Sequence, residues 1–170
     1  MPRDAHQIRS HLERAFLKRA YPGDQSLANT RPWLRSYEGN QVAAYFKGKV
    51  WQEISLDHLT KHYPEDSSAT FHFMTEVAFL YYLPAFLSMS LDLPSAGLIA
   101  DGICNSFSME PHDDPRDKER AERRIRAMSS EERDAVVDAL SYLAAEYERR
   151  EYPDNPARRA LAAFYGIAGH

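Results

Sequence analysis

The chain has 170 residues, enough for one domain with a real core, and 44% hydrophobic against 27% charged residues is ordinary globular composition. A net charge of −4 and a pI near 6.0 argue against a general phosphate-binding surface and, if a charged partner exists, favour a basic one. Cys104 is the single cysteine, which excludes an intrachain disulfide and suits a reducing cytosol.

The N-terminus, MPRDAHQIRS, has no apolar core of the kind a secretion signal carries. Behind it, Ile8, Leu12, Ala15 and Phe16 share a helical face, and Asp4 with Gln7 has the pattern of a capping box. Residues 21–36 are rich in turn formers and read as a long connection. Glu38 to Lys47 reads as a short helix presenting Val42, Tyr45 and Phe46 and stopped by Gly48. VWQEIS then reads as a brief extended piece. Ser55 caps a further short helix with Leu56, Leu59 and Tyr63 on one side, ended before Pro64.

The stretch EVAFLYYLPAFLSMSL, residues 76–91, has no charge over the 15 residues from Val77 to Leu91. About 20 residues are needed to cross a bilayer as a helix, so no membrane span is expected. A buried central helix from about Phe73 to Leu91 is the better reading, kinked or split at Pro84, which lacks an N–H and crowds the carbonyl of Leu80. Pro94 opens another apolar segment with Leu98, Ile99, Ile103 and Phe107 at helical spacing. After the polar hinge SMEPHDDP, residues 116–128 read as a charged surface helix. Ser129 and Glu132 form the cleanest capping box, ahead of a stripe of Val136, Leu140, Leu143 and Tyr147. Asn155-Pro156 begins a last helix carrying Leu161, Phe164 and Tyr165. The fold class is all-α: one irregular helical bundle of about six to eight helices, with its central helix kinked at Pro84.

Several of these segments together suggest a family. Trp51-Gln-Glu-Ile54, then Glu76 and Tyr81-Tyr-Leu-Pro-Ala-Phe-Leu87, then Ser129-Ser-Glu-Glu-Arg-Asp-Ala-Val136 and Ala139-Leu-Ser-Tyr-Leu143, resemble an uncharacterised bacterial domain family. The resemblance covers roughly residues 37–147, leaving 1–36 and 148–170 as extensions that pack on that core. It implies a bacterial cytosolic origin and carries no activity or catalytic residues with it.

Candidate chemistry is sparse. His58 and His62, at i, i+4 beside Asp57, place two imidazoles on one helical face as a metal pair requires. The intervening Leu-Thr-Lys lacks the glutamate of a zinc-protease motif, so two surface histidines is the plainer reading. Glu110, His112, Asp113, Asp114 and Asp117 cluster in the hinge, where they could hold a hard divalent metal, supply general acid and base, or meet a basic partner. The plainer reading makes Asp114 a helix cap before Pro115. Glu76, at the mouth of the apolar run, reads as a polar contact to a tyrosine or an arginine, with a general acid as the sharper alternative. Cys104 lies in an apolar stretch and reads as a small hydrophobe. DDPRDKERAERRIR, 113–126, carries six Lys/Arg against five Asp/Glu, the balance of a salt-bridged face rather than a phosphate track. Of the 10 tyrosines, Tyr81, Tyr82, Tyr142 and Tyr147 read as core or core edge, while Tyr21, Tyr37 and Tyr152 in loops, together with Trp33, are the contact candidates.

No catalytic nucleophile and no glycine-rich phosphate loop is present. The reading therefore leans away from an enzyme and expects no cofactor. The expected function is a cytoplasmic, toxin-neutralising protein of the immunity or antitoxin kind, docking on a partner protein. Its binding residues are Glu110, His112, Asp113, Asp114, Asp117, Tyr37 and Trp33. The alternative is a small metal-dependent hydrolase built on His58, His62 and nearby carboxylates.

Overall fold

Most helix starts are made by the side chains that the sequence places there. Asp4 accepts the N–H of Gln7 at 2.8 Å and Gln7 accepts that of Asp4 at 3.1 Å. Ser129 accepts the N–H of Glu132 at 3.1 Å and Glu132 accepts that of Ser129 at 2.8 Å. Each pair satisfies two donors that a helix N-terminus leaves unpaired. The computed structural model describes residues 3–29, 37–63, 66–67, 70–110 and 113–168. Among them are nine α-helices: α1 (Ala5–Phe16), α2 (Tyr37–Phe46), α3 (Leu56–His62), α4 (Thr70–Phe73), α5 (Glu76–Ser90), α6 (Leu93–Asn105), α7 (Pro115–Arg126), α8 (Ser130–Arg149) and α9 (Pro156–Ala168). No strand occurs among the described residues; a lone antiparallel bridge joins Ala28 to Met74.

The central helix is α5. Every residue from Ala78 to Leu87 is buried, and each Phe or Leu so enclosed contributes about 1.5–3 kcal/mol. It packs against α6, α1, α8 and a 3₁₀ turn at Trp51–Glu53. Pro84 lies within this one continuous helix, so the segment is not split there; the break in helical backbone lies instead at Ala96 of α6 (φ −121°, ψ 24°). The helix begins at Glu76 rather than near Phe73, because Thr75 caps it by accepting the N–H of Ala78 and Phe73 belongs to the separate single turn α4. No helix among the described residues is long and apolar enough to cross a membrane.

The outer helices complete the core. Ile8, Leu12 and Phe16 of α1 and Ala157, Ala160 and Phe164 of α9 are buried, so both chain ends contribute to one apolar cluster. The stripe on α8 is buried as its spacing requires.

Three expectations are corrected. VWQEIS is not extended: Glu53 and Ile54 donate their N–H groups to the carbonyls of Val50 and Trp51 at 3.0 and 3.1 Å, making a 3₁₀ turn that buries Trp51, and the Glu53 carboxylate accepts the Val50 N–H at 3.2 Å. Leu98 is 71% exposed, because the inward face of α6 runs through Ala96, Ile99, Ala100, Ile103 and Cys104, and Leu98 lies to one side of it. Tyr165, next to the buried Phe164, also faces outward.

The end of α8 holds a residue against its preference. Tyr152 donates its N–H to the carbonyl of Tyr147, Glu151 donates to that of Glu148, and the Tyr147 and Tyr152 rings meet edge to face at 5.5 Å. This is a Schellman closure whose left-handed position, normally glycine, is Glu151 (φ 54°). A left-handed residue with a Cβ costs about 1–2 kcal/mol, partly offset for glycine by the extra freedom of the unfolded chain. Glu151→Gly is therefore expected to raise stability by about 0.5–1 kcal/mol in chemical denaturation.

Candidate functional site

The apolar stretch that makes α5 stops at its N-terminal end, and charge gathers where it stops. Glu76, the first residue of α5, is 38% exposed and accepts from Arg124 Nε at 2.8 Å. Arg123 and Arg120 stand 3.8 and 3.9 Å from the same carboxylate. The arginine reading of Glu76 is thus the one realised. Tyr82 directs its hydroxyl elsewhere, to the carbonyls of Phe46 and Lys49.

Arg124 is an unusual arginine. It projects from the inward face of α7 and is 3% exposed. Its guanidinium lies 3.6 Å from the centre of the Phe79 ring and also donates to the Ser106 carbonyl at 3.4 Å. A flat cation over an aromatic face, with a carboxylate at its edge, is a favourable way to bury a charge. It anchors the otherwise polar α7 to the core.

Beside this anchor opens a cleft of about 510 Å³. His72 of α4, Asn105 and Ser106 at the end of α6, and Ser108, Glu110 and Asp113 of the following connection line it, with Asp114, Asp117, Arg120, Arg124 and Arg159. Four of the hinge carboxylates singled out in the sequence are therefore gathered in one place. Their roles differ. Asp113 organises the connection, accepting the Ser108 hydroxyl at 2.7 Å and the Glu110 N–H at 2.8 Å. Asp114 caps α7 through the N–H of Arg116, whose guanidinium also holds the Asp114 carboxyl below its ordinary range. Asp117 faces Arg120 at 3.7 Å.

The cleft's cations are engaged. Arg159 of α9 donates to Asp154 at 2.5 and 3.0 Å and to Asn105 at 3.2 Å. Along α7, Arg116, Arg123 and Arg126 stand within 4 Å of Asp114, Glu119 and Glu122. His72 is held below the ordinary histidine value, first by burial and then by Arg120 and Arg124, with Asp117 opposing them.

The remaining candidates lie elsewhere. Trp33 and His112 fall outside the described residues. Tyr37 starts α2, is 62% exposed and does not line the cleft. Tyr21 is tied into the fold, donating to Asp24 at 2.6 Å and accepting the Gly48 N–H at 2.9 Å. Cys104 is fully buried and its thiol pKa is pushed up by that burial. His58 and His62 lie on α3 with ring centres 4.6 Å apart, and Asp57 is bound to Lys61. Among the described residues no group of three or more His, Cys, Asp or Glu side chains is placed to hold a metal ion.

Sequence reasoning missed His72, Arg120, Arg124 and Arg159. Only Arg124 left a signal: it follows Ala121 and precedes Ile125 and Met128, so an arginine occupies a core register of an otherwise polar helix.

Fold and site together define an all-α domain with a charged cleft at one end of its central helix. The chain belongs to a family of unknown function, DUF6714, whose model matches residues 5–165. That match extends beyond residues 37–147 at both ends and takes in α1 and most of α9. No curated protein and no solved structure is significantly similar to it.

Glu76→Gln removes the charge opposite the buried Arg124. It is expected to cost about 1.5–3 kcal/mol in urea unfolding, below the figure for a fully enclosed pair because Glu76 reaches solvent. His72 is expected to titrate below about 6.5 in NMR, and Arg120→Gln to raise its value. As pH falls the unfolded chain takes up this proton first. The group's contribution to stability is thus complete above about pH 6.5 and is lost on acidification through the lower folded value.

Proposed function

We propose that this chain is a protein-binding module of the toxin-neutralising kind, a bacterial cytoplasmic protein that docks on a basic partner through the acidic rim of the cleft. One observation carries the reading. The cleft lining sets four carboxylates, Glu110, Asp113, Asp114 and Asp117, against three arginines, Arg120, Arg124 and Arg159, and two of these arginines are also matched by Glu76 and Asp154; Asp114 and Asp117 are exposed. The charge offered to a visitor is therefore mainly negative. Asp113 fixes the connection from which Glu110 projects, so part of the rim is set before a partner arrives. Preformed negative charge steers association with a basic surface and strengthens it at low salt.

The net charge of −4 and the absence of nucleophile motifs from the sequence support the same reading. A metal-dependent hydrolase on His58 and His62 has less behind it, since Asp57 is held by Lys61 and no third ligand joins the pair among the described residues.

The test is capture of partners from lysate at two salt concentrations, comparing the native chain with the double variant Glu110→Gln, Asp117→Asn, which spares the cap at Asp114. The expected result is one dominant basic protein. Its recovery falls with salt, and its affinity drops about tenfold or more in the variant while circular dichroism is unchanged. Capture of the same partner equally well by both chains, or of none by either, would refute the proposal.

A further inference from the structure

We propose that His58 and His62 form a two-imidazole chelating site for one borderline divalent transition-metal ion, such as zinc, nickel or copper(II), with Tyr45 as the positioning residue that aims His58. The site is separate from the cleft. It lies on α3, a helix held in place by the buried Leu59 and capped by Ser55, whose hydroxyl oxygen accepts the His58 N–H at 3.2 Å.

Spacing supplies the first requirement. Residues four apart on a helix share a face, and here the two rings lie with centres 4.6 Å apart and planes inclined by 51°. Two nitrogens bound to a tetrahedral ion at 2.0–2.1 Å stand about 3.3 Å from each other. His62 is exposed and His58 half-buried, so the His62 ring is the one freer to reorient.

Orientation supplies the second. Nδ1 of His58 and the Tyr45 hydroxyl are 2.5 Å apart. The site requires the tautomer in which Nδ1–H donates to the phenol oxygen and Nε2 is bare, the arrangement by which proteins fix a ligating histidine. Tyr45 is itself held rigidly. It is buried, its ring meets those of Phe46 and Tyr63 edge to face at 4.8 and 5.3 Å, and the Lys49 ammonium lies 4.8 Å from its centre. One imidazole is thus prepared on a fixed support while the other is free to adjust.

The donor set decides the metal class. Two neutral imidazoles suit zinc, nickel and copper(II), whereas calcium and magnesium require oxygen ligands. The nearby Asp57 is paired with Lys61, which offsets the lysine's charge beside the site. With two protein ligands, the remaining coordination positions are open to water or to an external donor.

The experiment uses the full chain. Zinc is titrated at pH 7.5 by calorimetry and copper(II) is followed by EPR. One ion per chain is expected, with nitrogen hyperfine structure from two imidazoles and affinity that weakens on acidification. His62→Ala, at an exposed position, is expected to lower the affinity about tenfold or more. Tyr45→Phe is expected to lower it about 10-fold and to move the imidazole ¹⁵N shifts of His58 in the metal-free chain toward a mixed tautomer. Asp57→Asn leaves binding unchanged. Absence of stoichiometric binding, or an unaltered affinity in His62→Ala, overturns the site; unmoved His58 shifts in Tyr45→Phe overturn the positioning role.

Discussion

The structure depends on enclosing α5 on all sides. A helix that is apolar around its whole circumference has no face to give to water, so it must lie inside a layer of other helices. α1, α6 and α8 and the Trp51–Glu53 turn supply that layer. The enclosure is complete from Ala78 to Leu87 and ends at Glu76 and Val77. Glu76, accordingly, is where the interior meets solvent, and the polar helix α7 is fastened at that boundary.

That fastening explains why α7 can be so charged. Ala121, Arg124 and Ile125 are its buried residues, little apolar area for a twelve-residue helix. Its attachment rests on the Arg124 guanidinium, which uses its flat face on Phe79 and its edge on Glu76 and the Ser106 carbonyl. Both Phe79 and Glu76 belong to α5, three residues apart, so one turn of the central helix supplies both the aromatic surface and the counter-charge. The cleft lies beside this fastening, lined by α7 residues on one side and by Asn105, Ser106, Ser108 and Glu110 on the other.

Local rules made much of the fold legible in sequence. Side-chain caps depend on residues three apart, so Asp4 with Gln7, Ser55 before α3, and Ser129 with Glu132 needed no tertiary information. The stripe on α8 and the uncharged run of α5 are equally local. Failures arose where a distant contact decides. Leu98 and Ile99 are equivalent in composition, and only the position of α5 and α9 around α6 selects Ile99 for burial. Trp51–Glu53 reads as extended, yet it lies packed against α5 as a 3₁₀ turn with Trp51 buried. At the cleft, the acidic residues were visible because they lie close together in the chain, whereas His72 and Arg159 reach it from α4 and α9, which no short window connects.

The tyrosines show how the same physics bears on function. An abundance of tyrosine suggests a contact surface, because the ring offers area and the hydroxyl a polar tip. In this chain several hydroxyls are committed internally. Tyr82 bonds two main-chain carbonyls, Tyr147 bonds Asp101, Tyr21 bonds Asp24, and Tyr45 meets His58. Burial pushes the Tyr45 phenol up to about 12 and raises those of Tyr82 and Tyr147 further, so these groups remain neutral at physiological pH. They act as rigid polar pegs rather than adaptable surface. Tyr45 differs from the others in its partner. A carbonyl or a carboxylate offers acceptors alone, whereas an imidazole has a second nitrogen, pointing away from the first, whose protonation is set by the first. A hydroxyl that fixes one side of a histidine defines the chemistry of the other, so in the proposed metal site the buried Tyr45 sets what His58 offers at the surface.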